Sequence, residues 1–77
     1  MGFLSPKPGY TDAYHVDSSM NEYNGRALRG SLTSDPRWQI MKVVYTGRNW
    51  IVMWPNGSDE PKFIWDNVES YTYQLLK

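Results

Sequence analysis

The feature that most constrains this fold is the crowding of aromatic side chains into short alternating runs in the second half of the chain. The sequence holds four tryptophans, six tyrosines, two phenylalanines and no cysteine in 77 residues. Two central runs, residues 38–46 and 49–54, are apolar at both odd and even positions. Because successive side chains of a strand point to opposite faces, these runs predict a sheet that is covered on both faces.

The length of the chain limits how much of that cover it can provide itself. Seventy-seven residues make one domain at most, and domains below roughly 70–80 residues gain only a few kcal/mol from their core without a disulfide, a metal or a partner. The chain has no cysteine and one histidine, which excludes disulfides and histidine-cluster or thiolate metal sites within one copy. We therefore expect dense aromatic packing, a protein partner, no metal and no cofactor.

Charge is balanced in total but not along the chain. Eight basic residues offset eight acidic ones. Arginines dominate residues 24–48, whereas acidic residues dominate residues 49–77. A basic half and an acidic half favour head-to-tail contacts between copies, with a mixed solvated surface as the alternative. The neutral total disfavours non-specific binding to nucleic acid or to membranes.

Residues 1–21 are predicted to form an extended N-terminal arm in front of a domain that spans residues 22–77. Pro6 and Pro8 oppose a helix and favour extended backbone. The arm is expected to dock its apolar side chains into a groove on the same chain or on a neighbour, with a flexible tail as the alternative. These side chains belong to Phe3, Leu4, Tyr10, Tyr14 and Val16.

From residue 22 onward the pattern is typical of short antiparallel strands. We predict strands over residues 23–32, 38–46, 49–54, 63–65 and 71–76. A bulge or turn is expected at Gly25 and a cap of a helical turn at Asp66. Five strands with tight turns predict an all-β fold, either a small SH3-like five-stranded barrel or a curved antiparallel sheet.

Two connections have the composition of tight turns. Gly47-Arg48 fits a type II′ hairpin because glycine accepts positive φ at the first central position. Pro55-Asn56-Gly57 has proline where φ is fixed near −65° and glycine where φ is positive. Both turns would join neighbouring antiparallel strands.

The stretch from residue 24 to residue 73 resembles a pattern found in small proteins and terminal modules of tailed bacteriophages. The matching segments are residues 24–27, 30–40, 54–57 and 63–73. They hold a Thr-Ser before a Trp-x-Ile strand, a Trp-x-Asn-Gly turn and a closing Trp-Asp-Asn…Tyr. Pro55 and Val68 depart from the pattern, where the phage sequences often have alanine and arginine. The resemblance implies a virion-associated structural protein, assembled in the host cytoplasm.

Two groups of residues have the types that catalysis uses. Asp66 and Glu69 lie one helical turn apart, but a glycosidase needs its carboxylates across a cleft that a chain this small can hardly build. His15, Asp17 and Ser18 are neighbours on an extended segment, which cannot hold a base rigidly between nucleophile and orienting group. We therefore predict that the chain is not an enzyme and that His15 forms hydrogen bonds at an interface.

Arginines and tryptophans are the remaining candidates for a binding surface. Near Trp38 and Trp50, arginines could stack and contact phosphates of single-stranded nucleic acid, but pairing with carboxylates of a neighbouring subunit is favoured. The arginines are Arg26, Arg29, Arg37 and Arg48. Trp38 and Trp65 are expected in the core. Trp50 and Trp54 are expected on an outward face, as anchors of a protein interface or, alternatively, as a carbohydrate platform.

Together with the resemblance to tailed-phage proteins, these observations predict a non-enzymatic structural protein of a bacteriophage particle, either a capsid decoration protein or another minor head, neck or tail component. Its partners would be major capsid, tail or neck subunits, with a homo-oligomer left open. An SH3-like module for peptides or single-stranded nucleic acid, and a phage-encoded inhibitor of a host protein, are the alternatives. The predicted interface residues are Phe3, Leu4, Tyr10, Tyr14, His15, Arg26, Arg29, Arg48, Trp50 and Trp54.

Overall fold

The fold is one open, five-stranded antiparallel sheet, seen in a computed structural model that describes residues 7–77. The strands lie side by side in chain order. They are β1 (Tyr10–Val16), β2 (Glu22–Leu28), β3 (Gln39–Thr46), β4 (Asn49–Pro55) and β5 (Tyr73–Gln74). The expected all-β class and the antiparallel sheet are confirmed, whereas the SH3-like barrel is not. None of the helices in this part of the chain is long and apolar enough to cross a membrane.

Residues expected in the N-terminal arm form the first strand of the sheet. β1 pairs with β2 along its whole length, from Tyr10 opposite Leu28 to Val16 opposite Glu22. Exposed and half-buried positions alternate along β1, as in a strand with one face against the core. The arm is therefore not confirmed over these residues. Phe3 and Leu4, the other expected anchors of the arm, lie outside the described residues.

Asp17 organises the hairpin that brings β1 onto β2. One carboxylate oxygen accepts hydrogen bonds from the backbone N–H groups of Ser19 (2.9 Å) and Asn21 (3.0 Å). The other accepts from Asn21 Nδ2 (3.2 Å) and from the hydroxyl of Tyr23 (2.7 Å). These bonds, led by that of Tyr23, lower the pKa of Asp17 to about 2. The carboxylate thus replaces backbone partners in a tight turn and holds the two strands in register.

Gly25 is neither a turn nor a bulge, contrary to the sequence-based expectation. It lies in the middle of β2, opposite Ala13 on one side and Ile40 on the other, and the register is unbroken. A Cβ atom at this position would lie 2.5 Å from Cε3 of Trp65 and 3.1 Å from Cε3 of Trp38. Glycine is needed here because two indole rings pack directly against the backbone of the strand.

The core lies on one side of the sheet, which we call the covered face. The buried side chains there are Tyr23, Ala27, Trp38, Ile40, Phe63 and Val68. Trp65 packs against them, so both tryptophans that were expected in the core lie there, Trp38 buried and Trp65 half-buried. The residues that follow β4 therefore supply the cover of this face.

The predicted strand over residues 63–65 is reduced to a single bridge. Trp38 and Phe63 exchange two backbone hydrogen bonds of 2.9 and 3.0 Å. A 3₁₀ turn, Trp65–Asn67, follows directly. Ile64 stands at its N-cap and no side chain caps it, so the expected cap by Asp66 is wrong. The backbone N–H of Asp66 donates instead to the carbonyl of Thr33 (3.0 Å).

Turns form at both predicted positions, but in the second turn Pro55 precedes the two central residues, Asn56 and Gly57, and does not occupy the first central position as expected. Gly47, between β3 and β4, has a φ of 62°, as the first central position of a type II′ turn requires. Asn56 and Gly57 have φ values of 53° and 72°, and the backbone N–H of Ser58 donates to the carbonyl of Pro55 (3.0 Å). Two successive residues with positive φ are the mark of a type I′ turn.

Candidate interaction surface

The side of the sheet opposite the core, which we call the open face, carries an aromatic rim. Paired residues of an antiparallel sheet point to the same side, so the register assigns this face row by row. Tyr14 lies opposite Asn24, which lies opposite Met41. Tyr45 lies opposite Trp50. None of the residues of the core cluster belongs to these rows.

The rim of the open face consists of exposed aromatic rings, two of which end in a hydroxyl group. Tyr14 is 46% exposed, Tyr45 47% and Trp50 54%. The hydroxyl of Tyr45 donates to the Glu22 carboxylate at 3.0 Å. Partial desolvation and interaction with Glu22 raise the pKa of both Tyr14 and Tyr45. The Glu22 carboxylate therefore orients the ring of Tyr45 directly and influences the ionisation of Tyr14. A tyrosine held in a fixed direction with its hydroxyl near water suits a protein interface.

The centre of the open face is buried and contains one unsatisfied amide. Val43 is fully buried, and Asn24 and Met41 are 2% and 8% exposed. Among the residues that the structure describes, Nδ2 of Asn24 has no hydrogen-bond partner. A buried donor without a partner costs about 1–3 kcal/mol, so this position lowers the stability of the isolated chain.

β1 forms one edge of the sheet, and its outer backbone groups have no neighbouring strand within residues 7–77. The backbone hydrogen bonds between β1 and β2 continue beyond both ends of β1. The N–H of Arg29 donates to the carbonyl of Gly9 (3.0 Å), and the N–H of Asp17 donates to the carbonyl of Asn21 (3.1 Å). Since hydrogen-bonded pairs alternate in antiparallel sheets, the odd residues of β1 face β2. The N–H and C=O groups of the even residues face outward. These are Tyr10, Asp12, Tyr14 and Val16.

Asp12 and His15 of this edge strand have partners on the same chain. Asp12 accepts two hydrogen bonds from the Arg26 guanidinium, at 2.8 and 3.1 Å. His15 contacts Glu69 through Nε2, rather than Asp17 or Ser18 as a triad would require. The interface role expected for His15 is not tested, but its ring joins β1 to the segment that covers the core.

A shallow cavity of about 440 Å³ lies where β1 begins and β2 ends. It is lined by Lys7, Tyr10, Arg26, Ala27, Leu28, Arg37, Gln39 and Pro61. Arg29 is exposed just beyond β2, near the same end of the sheet. The cavity thus combines cationic and apolar walls.

The stacking surface expected from four arginines and two tryptophans does not form as one unit. Arg48 lies in the β3–β4 turn, at the far end of strands that extend roughly 25 Å. Trp38 is buried, and its indole N–H donates to the carbonyl of Leu32 (3.0 Å). Trp50, two residues after Arg48, presents an exposed indole at that end.

The predicted interface residues are distributed over both ends of the sheet. The exposed ones are Tyr10, Tyr14, Arg29, Arg48 and Trp50, and the half-buried ones are His15, Arg26 and Trp54. Sequence reasoning missed Glu22, Asn24 and Tyr45 as parts of the same surface. The signal for Tyr45 was present, because a two-residue turn at Gly47-Arg48 places Tyr45 opposite Trp50.

The two carboxylates that the sequence offered as a pair, Asp66 and Glu69, have different surroundings. Asp66 lies exposed in its 3₁₀ turn, and Glu69 contacts His15. Residues 7–77 hold no cluster of three or more His, Cys, Asp or Glu side chains that could bind a metal ion.

Comparison with known proteins assigns no family to this fold. Neither protein-family models, nor curated proteins, nor solved structures give a match to the chain. A function has therefore to be inferred from the surfaces described above.

Proposed function

We propose that the chain is a non-enzymatic structural protein of a bacteriophage particle, which binds neighbouring virion subunits through its open face. It would serve as a capsid decoration protein or as another minor head, neck or tail component. The observation that carries this proposal is the exposed rim of Tyr14, Tyr45 and Trp50 around a buried centre. The resemblance of residues 24–73 to small proteins of tailed phages gives the type of partner.

Aromatic side chains of this kind are effective anchors. Complete burial of one large apolar side chain contributes roughly 1.5–3 kcal/mol. The rim residues are already about half buried, so complete burial of each would contribute about half of that free energy. The entropic cost of ordering the partners offsets part of this contribution. One such contact is therefore weak. Many identical contacts in a symmetric lattice hold a small protein in place because each bound neighbour raises the effective concentration of the next site.

Fractionation of phage particles tests this proposal. Particles from infected cells that produce the chain are banded on a density gradient, and an antibody locates the chain. We expect it in the particle band. Tyr45→Ala should reduce its amount there, whereas Leu32→Ala should not, since Leu32 is 66% exposed but lies in the loop after β2. A chain found only in the soluble fraction with one host protein would contradict the proposal and favour an inhibitor.

The cationic cavity favours a second candidate function, an SH3-like module that binds acidic peptides or single-stranded nucleic acid. Arg37 and Lys7 contribute cationic side chains to its lining, and Leu28 and Pro61 contribute apolar ones. Fluorescence titration with an acidic peptide and with an oligonucleotide, each at several salt concentrations, tests this function. Arg37→Glu should abolish binding at this cavity, whereas Arg48→Glu, at the opposite end, should not. Absence of binding at low salt would exclude it.

A further inference from the structure

The edge strand β1 lacks the devices that normally keep a sheet edge from pairing with another chain. Natural edges are protected by lysine, proline, bulges or very short strands. Within Tyr10–Val16 there is no lysine and no proline, the register with β2 shows no bulge, and the strand has seven residues. The charge of Asp12 is neutralised by Arg26. An edge of this length and regularity is a template for a further strand.

We propose that β1 pairs with β1 of a second copy, antiparallel and about a two-fold axis at Ala13, to form a dimer with a continuous ten-stranded sheet. The proposal does not depend on the phage function proposed above. The partner of this edge is a second copy of the chain, because β1 is complementary to itself when two copies pair antiparallel.

Only one symmetric register uses the whole strand. A two-fold axis at Ala13 places Tyr10 opposite Val16 of the second copy, and Asp12 opposite Tyr14. These are the even residues whose backbone groups face outward, so Asp12 and Tyr14 can exchange two hydrogen bonds. In the pair of Tyr10 and Val16, the carbonyl of Tyr10 can accept from Val16, whereas the N–H of Tyr10 already donates to the carbonyl of Lys7 (3.2 Å). Ala13 then lies opposite itself in a pair without hydrogen bonds. All seven residues of β1 are paired.

Neighbouring registers are less favourable. An axis at Asp12 sets two carboxylates directly opposite each other, and like charges in that position destabilise a sheet. With an axis at Tyr14, no residue within β1 of the second copy lies opposite Tyr10. In the register about Ala13 no like charges face each other, and the formal net charge of zero gives two copies no overall repulsion. Charge and strand length therefore select the same arrangement.

The dimer would enlarge the open face. Paired residues share a face, so the two open faces lie side by side on the same side of the ten-stranded sheet. Tyr10 and Val16 are 38% and 37% exposed in the single chain, and each would contact the other across the two-fold axis. The added contacts supply what a 77-residue domain without disulfides lacks.

Cysteine cross-linking tests the register, because the chain has no cysteine of its own. Residues paired without hydrogen bonds have Cα atoms about 4.5 Å apart, which is within the range of a disulfide. Ala13→Cys should therefore give a covalent dimer of twice the 9.0 kDa chain mass upon mild oxidation. The matched control is Thr11→Cys on the same face. Its two copies would lie about 14 Å apart, too far to link.

The expected result is at least a tenfold higher yield of dimer for Ala13→Cys than for Thr11→Cys. Equal yields would indicate random collision and would overturn the proposal. An efficient link in Thr11→Cys alone would overturn it as well, because that link requires a different register.

Light scattering with a proline variant provides an independent measurement. The N–H of Tyr14 faces outward, so Tyr14→Pro removes a hydrogen bond of the dimer and none of the β1–β2 ladder. We expect the wild-type chain and Tyr45→Ala to have the dimer mass and Tyr14→Pro the monomer mass, with unchanged circular dichroism. A dimer that persists in Tyr14→Pro overturns the proposal. So does a wild-type chain that stays monomeric up to about 1 mM.

Discussion

The six-membered ring of Trp65 lies against the backbone of Gly25, so closely that a Cβ atom there would be 2.5 Å from Cε3 and 2.6 Å from Cζ3. We expect Gly25→Ala to destabilise the fold by about 2–3 kcal/mol, because inserting a methyl group into a packed site forces the indole or the strand to move. Chemical denaturation measures the change. Gly30→Ala is the control, since nothing lies within 4 Å of its Cβ and only its φ of 91° is strained.

A double-mutant cycle decides whether Trp65 is the cause. If the indole is responsible, replacing it by leucine should remove most of the additional cost of Gly25→Ala, so that the two changes are strongly non-additive. Additive effects would show that the glycine is required for another reason, such as the flexibility of β2.

Sequence patterns predict those parts of this fold that local rules determine. β3, β4 and their hairpin follow from period-two alternation and from glycine at the turn, and Trp38 and Trp65 lie at the core. β1 does not follow from such rules. Pro6, Pro8 and the polar residues after them favour an arm, whereas the strand depends on Asp17, whose carboxylate binds groups up to six residues away. That contact forms only once the hairpin is folded.

The open face was only partly predictable for a similar reason. Exposed aromatic residues such as Tyr14 and Trp50 are evident in the sequence. The role of Glu22 is not, because its carboxylate binds Tyr45, 23 residues later in the chain. The register across β2 and β3 brings them together, and no local pattern in the sequence determines that register.

Asp17 predicts a specific pH dependence of stability. Its pKa is lowered from 3.8 to about 2 in the folded chain, so its contribution is complete above about pH 4 and is lost as the pH falls towards 2. The difference in unfolding free energy between wild type and Asp17→Asn should therefore shrink over this range. Denaturation at a series of pH values measures it. The exposed Asp59→Asn serves as control, and a constant difference for Asp17→Asn would contradict the prediction.

Asn24 predicts a stabilising substitution. Its Nδ2 is buried and has no hydrogen-bond partner among residues 7–77, and removing an unsatisfied donor while keeping the shape is neutral or favourable. We expect Asn24→Leu to raise the unfolding free energy by about 1 kcal/mol, measured by thermal or chemical denaturation. Asn67→Leu, at an exposed position of the 3₁₀ turn, should have little effect. A loss of stability in Asn24→Leu would show that the amide is satisfied in solution.

Glu22 controls the ionisation of two tyrosines on the open face. Its carboxylate helps to raise the pKa of Tyr14 and of Tyr45, since a tyrosinate beside it would be repelled and would lose the hydrogen bond. In Glu22→Gln the pKa of both hydroxyls should fall towards the ordinary value near 10. Titration followed by NMR resolves each ring. Tyr23 is the internal control: its pKa is raised by burial and by Asp17, neither of which Glu22→Gln changes. If the pKa values of Tyr14 and Tyr45 are the same in the wild type and in Glu22→Gln, Glu22 does not interact with the rim. The aromatic surface on which the proposed interface depends would then lack the fixed orientation proposed for it.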